Sequence, residues 1–186
     1  LLHGAKRNAG DFLIFERSRD LVRHHHPDAE LLKLQRWQPL EPHLDRLNAA
    51  DAVILCGGPC YSQNFYPGVV PLVKDLSAIK VPIVPMGIGW GVGNTVTNMG
   101  AFRFMDTALA ALKEIHARIP YSSARDVITE QVLKGAGIGN VVTTGCPVWY
   151  YLPWIERDFT PPEAVNRIVI STPAKPQFFK QAGQLL

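Results

Sequence analysis

Apolar runs alternate with segments whose apolar positions recur every three to four residues along almost the whole chain. That alternation predicts an α/β fold, a parallel sheet joined by crossover helices. Residues 1–4 read as the tail of a first strand. Over residues 11–25, Phe12, Ile14, Phe15, Leu21 and Val22 mark an amphipathic helix that closes before Pro27. Residues 30–34 predict a second strand, followed by a polar loop and a short helix. The run 52–56, preceded by Asp51 and ended by Gly57-Gly58-Pro59, is the clearest buried strand. Residues 69–78 read as a helix and 81–86 as the next strand, despite its two prolines.

Further on, 105–117 predict a helix with Leu109, Leu112 and Ile115 on one face. A short strand over 121–124 leads into a helix over 125–134, whose end Gly135 and Gly137 fit. Residues 141–144 predict a strand ending at Gly145-Cys146-Pro147. The uniformly apolar character of 52–56 and 82–86 is what strands covered on both faces require, so the two are expected to be central and adjacent. Proline-bearing residues 151–166 then read as a linker, and 167–172 as a fresh strand before a helix start at 177–186. The expected division is a Rossmann-like domain over 1–150, with helices on both faces of its sheet, a linker, and the start of a second α/β domain over 167–186.

Composition narrows the classes. With 186 residues, 47% hydrophobic and 19% charged, the chain is a globular protein rather than a disordered or fibrous one. A net charge of +3 is too small for the dense basic stripe of a nucleic-acid binder, but it suits a small anionic ligand. Three cysteines cannot all pair with one another, and Cys56-x-x-x-Cys60 misses the usual zinc spacings, so reduced thiols are expected. The uncharged stretch 81–102 is broken by prolines and glycines and is no membrane span. No signal peptide is visible, and the chain opens on Leu1, so a few residues at the front are expected to be missing.

Ligands of doubly wound sheets bind beyond the C-terminal strand ends, where four segments stand out. The first, 4–11, offers Asn8, Gly10 for close backbone approach, Asp11 as a helix cap, and the charges of Lys6 and Arg7; it is either a capped turn or part of a site. The second, 57–64, pairs Gly57 and Gly58 with Tyr61, Ser62, Gln63 and Asn64, side chains able to hydrogen-bond sugar hydroxyls. The third, 87–93, carries Gly87 and Gly89 but fails the G-x-G-x-x-G spacing, which excludes a dinucleotide site and predicts a flexible loop rimming a cleft. The fourth, 122–126, delivers Arg125 to a helix N-terminus, which makes either an anion site or a cap with a structural ion pair. His24-His25-His26 is no metal site on this reading, because adjacent helical residues point in different directions. Trp149, Tyr150, Tyr151 and Trp154 either stack on a sugar or pack a domain junction.

Taken in order, five segments resemble the polysaccharide pyruvyl transferase family. They are Asn8-x-Gly10-Asp11, Asp51-Ala52-Val53-Ile54-Leu55-Cys56-Gly57-Gly58, Val81-Pro82-x-x-x-Met86-Gly87-Ile88-Gly89, Ser123-Ala124-Arg125-Asp126 and Val142-x-x-Gly145-Cys146-Pro147. The resemblance implies two Rossmann-like domains facing across a cleft, as in one large glycosyltransferase architecture, of which this chain is the first half. It implies transfer of pyruvate from phosphoenolpyruvate to a sugar diol as a cyclic ketal, in exopolysaccharide biosynthesis for the cell envelope. Phosphoenolpyruvate is then a donor substrate, and neither a metal nor an organic cofactor is required.

The implied acceptor is a glycan or a lipid-linked sugar, met by a cytoplasmic protein through peripheral membrane association. The family's further basic and His residues are expected in the second domain, beyond Leu186, so the chain alone is not expected to turn over. No histidine here is assigned as the general acid, and His3 reads as a strand residue. The alternatives are a nucleotide-sugar glycosyltransferase of similar architecture and a non-catalytic domain that binds a glycan or an anion.

Overall fold

In the computed structural model, which describes residues 1–91, 99–167 and Gly183, strands and helices alternate from the first residues. In chain order they are β1 (Leu2–His3), α1 (Ala9–His25), β2 (Leu34–Gln35), α2 (Leu44–Asn48), β3 (Val53–Tyr61), β4 (Ile83–Trp90), α3 (Asp106–Ala117), β5 (Ser122–Ala124), α4 (Val127–Gly135) and β6 (Val141–Thr143). All six strands form one parallel sheet in the order β2-β1-β3-β4-β5-β6. It is a Rossmann-like sheet flanked by helices. As expected, β3 and β4 are its central, adjacent pair, with Val53 opposite Ile83 and Leu55 opposite Pro85.

One face of the sheet presents Val53, Leu55, Ile83 and Ala124 to a core built with Leu47 of α2, Ala108, Leu112 and Ile115 of α3, and Leu133 of α4. The alternate residues Ile54 and Met86 face the other way, where Leu21 and Val22 of α1 line a cleft with them. Burial of apolar area on this scale, at about 25 cal/mol per Å², explains why residues of weak local preference still form strands. His116 is buried with that core. Its Nδ1–H donates to Leu112 O at 2.7 Å and its Nε2 accepts from Ser122 Oγ at 3.0 Å, pinning α3 to β5.

Several elements differ from the sequence reading. No helix covers 69–78: a π-type turn spans Phe65–Val69, irregular chain follows, and a 3₁₀ turn covers Leu76–Ala78. Pro71 lacks the amide a helix would need, and Leu72 lies in the left-handed region at φ +47°. The backbone is tied elsewhere, through Leu40 N to Leu72 O and Tyr66 Oη to Val73 O. The second strand is only Leu34–Gln35, overlapping the predicted 30–34 at Leu34 alone.

The glycines also do not end their strands. β3 runs through Gly57 and Gly58 to Tyr61, and β4 through Gly87 and Gly89 to Trp90, so residues 87–90 are ladder and not a flexible loop. Positive φ at Gly57 (+32°), Gly58 (+84°) and Gly87 (+61°) distorts both strands, but pairing resumes with Gly58 opposite Ile88 and Pro59 opposite Gly89. It resumes because Cys60, Tyr61 and Ile88 are buried side chains with a core to join.

The chain divides into two compact units, Leu1–Ile155 and Glu156–Leu186. In the second, the described residues 156–167 and Gly183 are exposed and form neither helix nor strand. The strand expected over 167–172 and the helix start at 177–186 lie almost wholly outside the described residues. Among the described residues no helix is long and apolar enough to cross a membrane.

Candidate functional site

In this strand order the direction of winding reverses between β1 and β3, and the crevice beyond their C-terminal ends is where such sheets take ligands. Asn8, Gly10 and Asp11 sit at the β1 side of it. Asn8 is the N-cap of α1: its Oδ1 accepts from Gly10 N at 2.8 Å, and its carbonyl accepts from Asp11 N and Phe12 N. The helix thus starts two residues earlier than the sequence suggests, and Asp11 lies in its first turn rather than capping it. Asn8 and Gly10 are exposed, and Asp11 is partly so.

Arg125 leaves the end of β5 toward β4. Its amide donates to Ile88 O at 2.9 Å, and its guanidinium lies against Gly89, where a Cβ would stand 2.4 Å from Cζ. Nε meets Asp126 Oδ2 at 3.4 Å, longer than the 2.7–2.9 Å typical of a strong charge-assisted bond. The two terminal nitrogens make no hydrogen bond among the described residues, and the side chain is 31% exposed. Asp126 is committed elsewhere. It caps α4, accepting from Thr129 N and Thr129 Oγ1, both at 2.8 Å. Partial burial would raise its pKa, but these bonds and Arg125 outweigh that and hold the carboxyl below its usual value.

A second guanidinium, absent from the sequence reading, shares this edge. Arg36 follows β2 and is 3% exposed. It lies against Gly4 and Gly58, each of which would bring a Cβ within 3.0 Å of it. Glycines within the C-terminal parts of β3 and β4 therefore make room for arginines, Gly58 for Arg36 and Gly89 for Arg125. Burial pushes the Cys60 thiol up to about 11, and the charges of Arg36, Asp11 and Arg125 all act on it in turn. Cys56, likewise raised to about 11 by burial, and Cys60 are inert thiols rather than nucleophiles.

The other predicted positions divide. Gly57 and Gly87 face α1 and Pro147, where a Cβ would meet Ile14 or Pro147 at 2.3–2.4 Å, so they serve close packing on that side. Tyr61 is in the core, its hydroxyl buried without a partner and its ring against Phe65. Gln63 is exposed, and its carbonyl accepts from Met105 N. Trp149 and Trp154 are exposed, and Tyr151 lies beneath Arg17, 4.2 Å from Cζ to the ring centre.

An apolar cleft of about 400 Å³ between α1 and the sheet is lined by Ser123 and Tyr150 but by neither Arg125 nor the residues predicted in the first three segments. The charges that suit an anion are at the strand ends, and that edge is the better candidate. Among the described residues no group of three or more His, Cys, Asp or Glu side chains is arranged to hold a metal.

The sequence model of one family, described as Polysaccharide pyruvyl transferase, matches residues 8–183. No curated protein matches the chain, and no solved structure does either.

Proposed function

The chain belongs to the polysaccharide pyruvyl transferase family, and from that premise we propose that its strand-end edge binds phosphoenolpyruvate for transfer of the pyruvyl group to a sugar diol as a cyclic ketal. The observation that carries this reading is Arg125: a partly exposed guanidinium at a βα junction, seated on a glycine, with its terminal nitrogens unbonded among the described residues. A bidentate fork of that kind matches a carboxylate or phosphate. Asn8, Gly10 and Asp11 at the start of α1, and Gly58 with Gly89 beneath the arginines, wall the same edge. Gln63, exposed on the stretch after β3, is assigned to the acceptor's hydroxyls.

The chemistry asks for cationic clamps and one general acid. Protonation of the donor's methylene carbon leaves a cationic C2, to which the first sugar hydroxyl adds with loss of its proton. The second hydroxyl then displaces phosphate, its oxygen bonding C2 as the C2–O bond to the phosphate breaks, the bridging oxygen leaving on phosphorus and the hydroxyl's proton going with the phosphate. Net, one diol and one phosphoenolpyruvate give one ketal and one orthophosphate. Arg125 holds the donor's negative charge throughout and stabilises the phosphate as it departs. The acceptor is a glycan or lipid-linked sugar met at the membrane surface from the cytoplasm.

The test is orthophosphate release. Release from phosphoenolpyruvate that depends on a glycan acceptor supports the reading. Stabilisation by a nucleotide sugar but not by phosphoenolpyruvate would assign the architecture to glycosyl transfer instead.

A further inference from the structure

Arg36 is a buried cation with no anionic partner among the described residues. Its backbone amide donates to His3 O at 3.0 Å, fixing it just beyond β2. From there the side chain reaches across β1, and Nη1 donates to Gly57 O at 2.6 Å and, more weakly, to Cys56 O at 3.4 Å. Cζ stacks 4.4 Å from the centre of the Trp37 ring, whose Nε1 is tied to Gly4 O, and Lys6 Nζ lies 5.4 Å from the same ring centre. Nε is buried without a hydrogen-bond partner, and Nη2 makes none among the described residues. All 16 acidic side chains of the chain lie among the described residues, and the ion pairs they form involve Arg17, Arg19, Arg125 and Lys134, not Arg36.

Burying a charge without a counter-charge is costly, and two carbonyls on one nitrogen offset only part of that cost. The unused edge, Nε–H beside Nη2–H, is the fork that grips an oxyanion with two parallel bonds. It stands where strand order reverses between β1 and β3, with Lys6 close by. We infer that Arg36 is a second oxyanion-binding residue, taking a phosphate or carboxylate group at this switch point, separate from the one held by Arg125. The inference rests on the proposed reaction only for the source of that group: the donor's other charged end, or a diphosphate in a lipid-linked acceptor.

The experiment follows the Arg36 Nε–Hε resonance, identified by its loss in Arg36→Lys, while the protein is titrated with phosphoenolpyruvate, orthophosphate or methylenediphosphonate. The expected result is a saturable shift with at least one of them. A shift with phosphoenolpyruvate that weakens at least about tenfold in Arg125→Lys assigns the donor. A shift with methylenediphosphonate that survives in Arg125→Lys assigns the acceptor diphosphate. If Arg125→Lys binds phosphoenolpyruvate normally while the Arg36 resonance still shifts, the donor reading fails and this inference stands.

Thermal melting separates binding from a structural role. Arg36→Met removes an unpaired buried charge, so its ligand-free Tm should equal or exceed the wild-type value while the anion-induced rise in Tm disappears. A lower ligand-free Tm with the rise intact would show that Arg36 merely ties down Gly57. That result, or no shift with any of the three anions, overturns the inference.

Discussion

The guanidinium of Arg125 occupies the space that a side chain on Gly89 would need: a Cβ there would stand 2.4 Å from Cζ and 2.5 Å from Nε and Nη2. Gly89 is therefore the seat of the arginine, and Gly89→Ala must move it. The atoms displaced are the far end of a flexible, partly exposed side chain, so the fold should lose less than about 1 kcal/mol. Phosphoenolpyruvate affinity should still fall with the arginine's geometry. Gly58→Ala meets the buried Arg36 and a φ of +84°, and should cost stability by about 1–3 kcal/mol from overpacking, plus backbone strain. Urea denaturation alongside a donor titration checks the contrast; equal stability losses would contradict it.

Asn8 caps α1 through Oδ1 to Gly10 N, so Asn8→Ala should destabilise the protein by about 1 kcal/mol. Asn8→Asp keeps an acceptor and should restore stability. If Asn8 also touches the donor, the added negative charge of Asn8→Asp should weaken donor binding even though the fold is intact. A chemical melt with a titration on both variants reads the two roles separately.

The core makes a plain prediction. Leu55 is fully buried at the centre of β3, and Leu55→Ala should cost about 2–5 kcal/mol by urea denaturation. Val142→Ala, on an exposed position of an edge strand, should change stability by less than about 0.5 kcal/mol.

The central pair β3–β4 is legible in the sequence because both strands are apolar on both faces, which leaves no other place for them. Where those strands end is not legible. Gly57-Gly58-Pro59 and Gly87-x-Gly89 have the composition of turns, yet the ladder continues because Cys60, Tyr61 and Ile88 are buried beyond them. The segment 69–78 misleads for the opposite reason. Val70, Leu72, Val73 and Leu76 are all buried, so the spacing is apolar enough for a helix, but an irregular backbone delivers the same side chains to the core. At the site, Arg125 stands out because it follows a short strand and precedes a helix. Arg36 does not, since it lies in a polar stretch without period. Only the folded chain brings it beside Gly4 and Gly58, and the small residues at those strand ends are its one trace in the sequence.

Acid should loosen the α3–β5 contact. Burial lowers the pKa of His116 below its ordinary 6.5, so between the folded value and 6.5 the unfolded chain binds a proton that the folded one refuses. Stability contributed by neutral His116 is then present above about pH 6.5 and is lost as pH falls through the folded pKa. His3, also lowered by burial and by the nearby positive charges of Lys33, the N-terminus and Arg36, adds a slope of the same sign. Urea midpoints should rise between pH 5 and about 7, and His116→Gln should flatten that rise. A midpoint independent of pH in the wild type would contradict it.

The central claim is that Arg125 holds the donor, and calorimetric titration with phosphoenolpyruvate of the wild type and of Arg125→Lys tests it most directly. Lysine keeps the charge and loses the fork, so the loss of a charge-assisted bond, about 1.5–3 kcal/mol, should weaken binding by roughly 10- to 150-fold. Thermal melting must show the variant folded, since Arg125 also meets Asp126. A folded Arg125→Lys that binds phosphoenolpyruvate as tightly as the wild type would contradict the assignment.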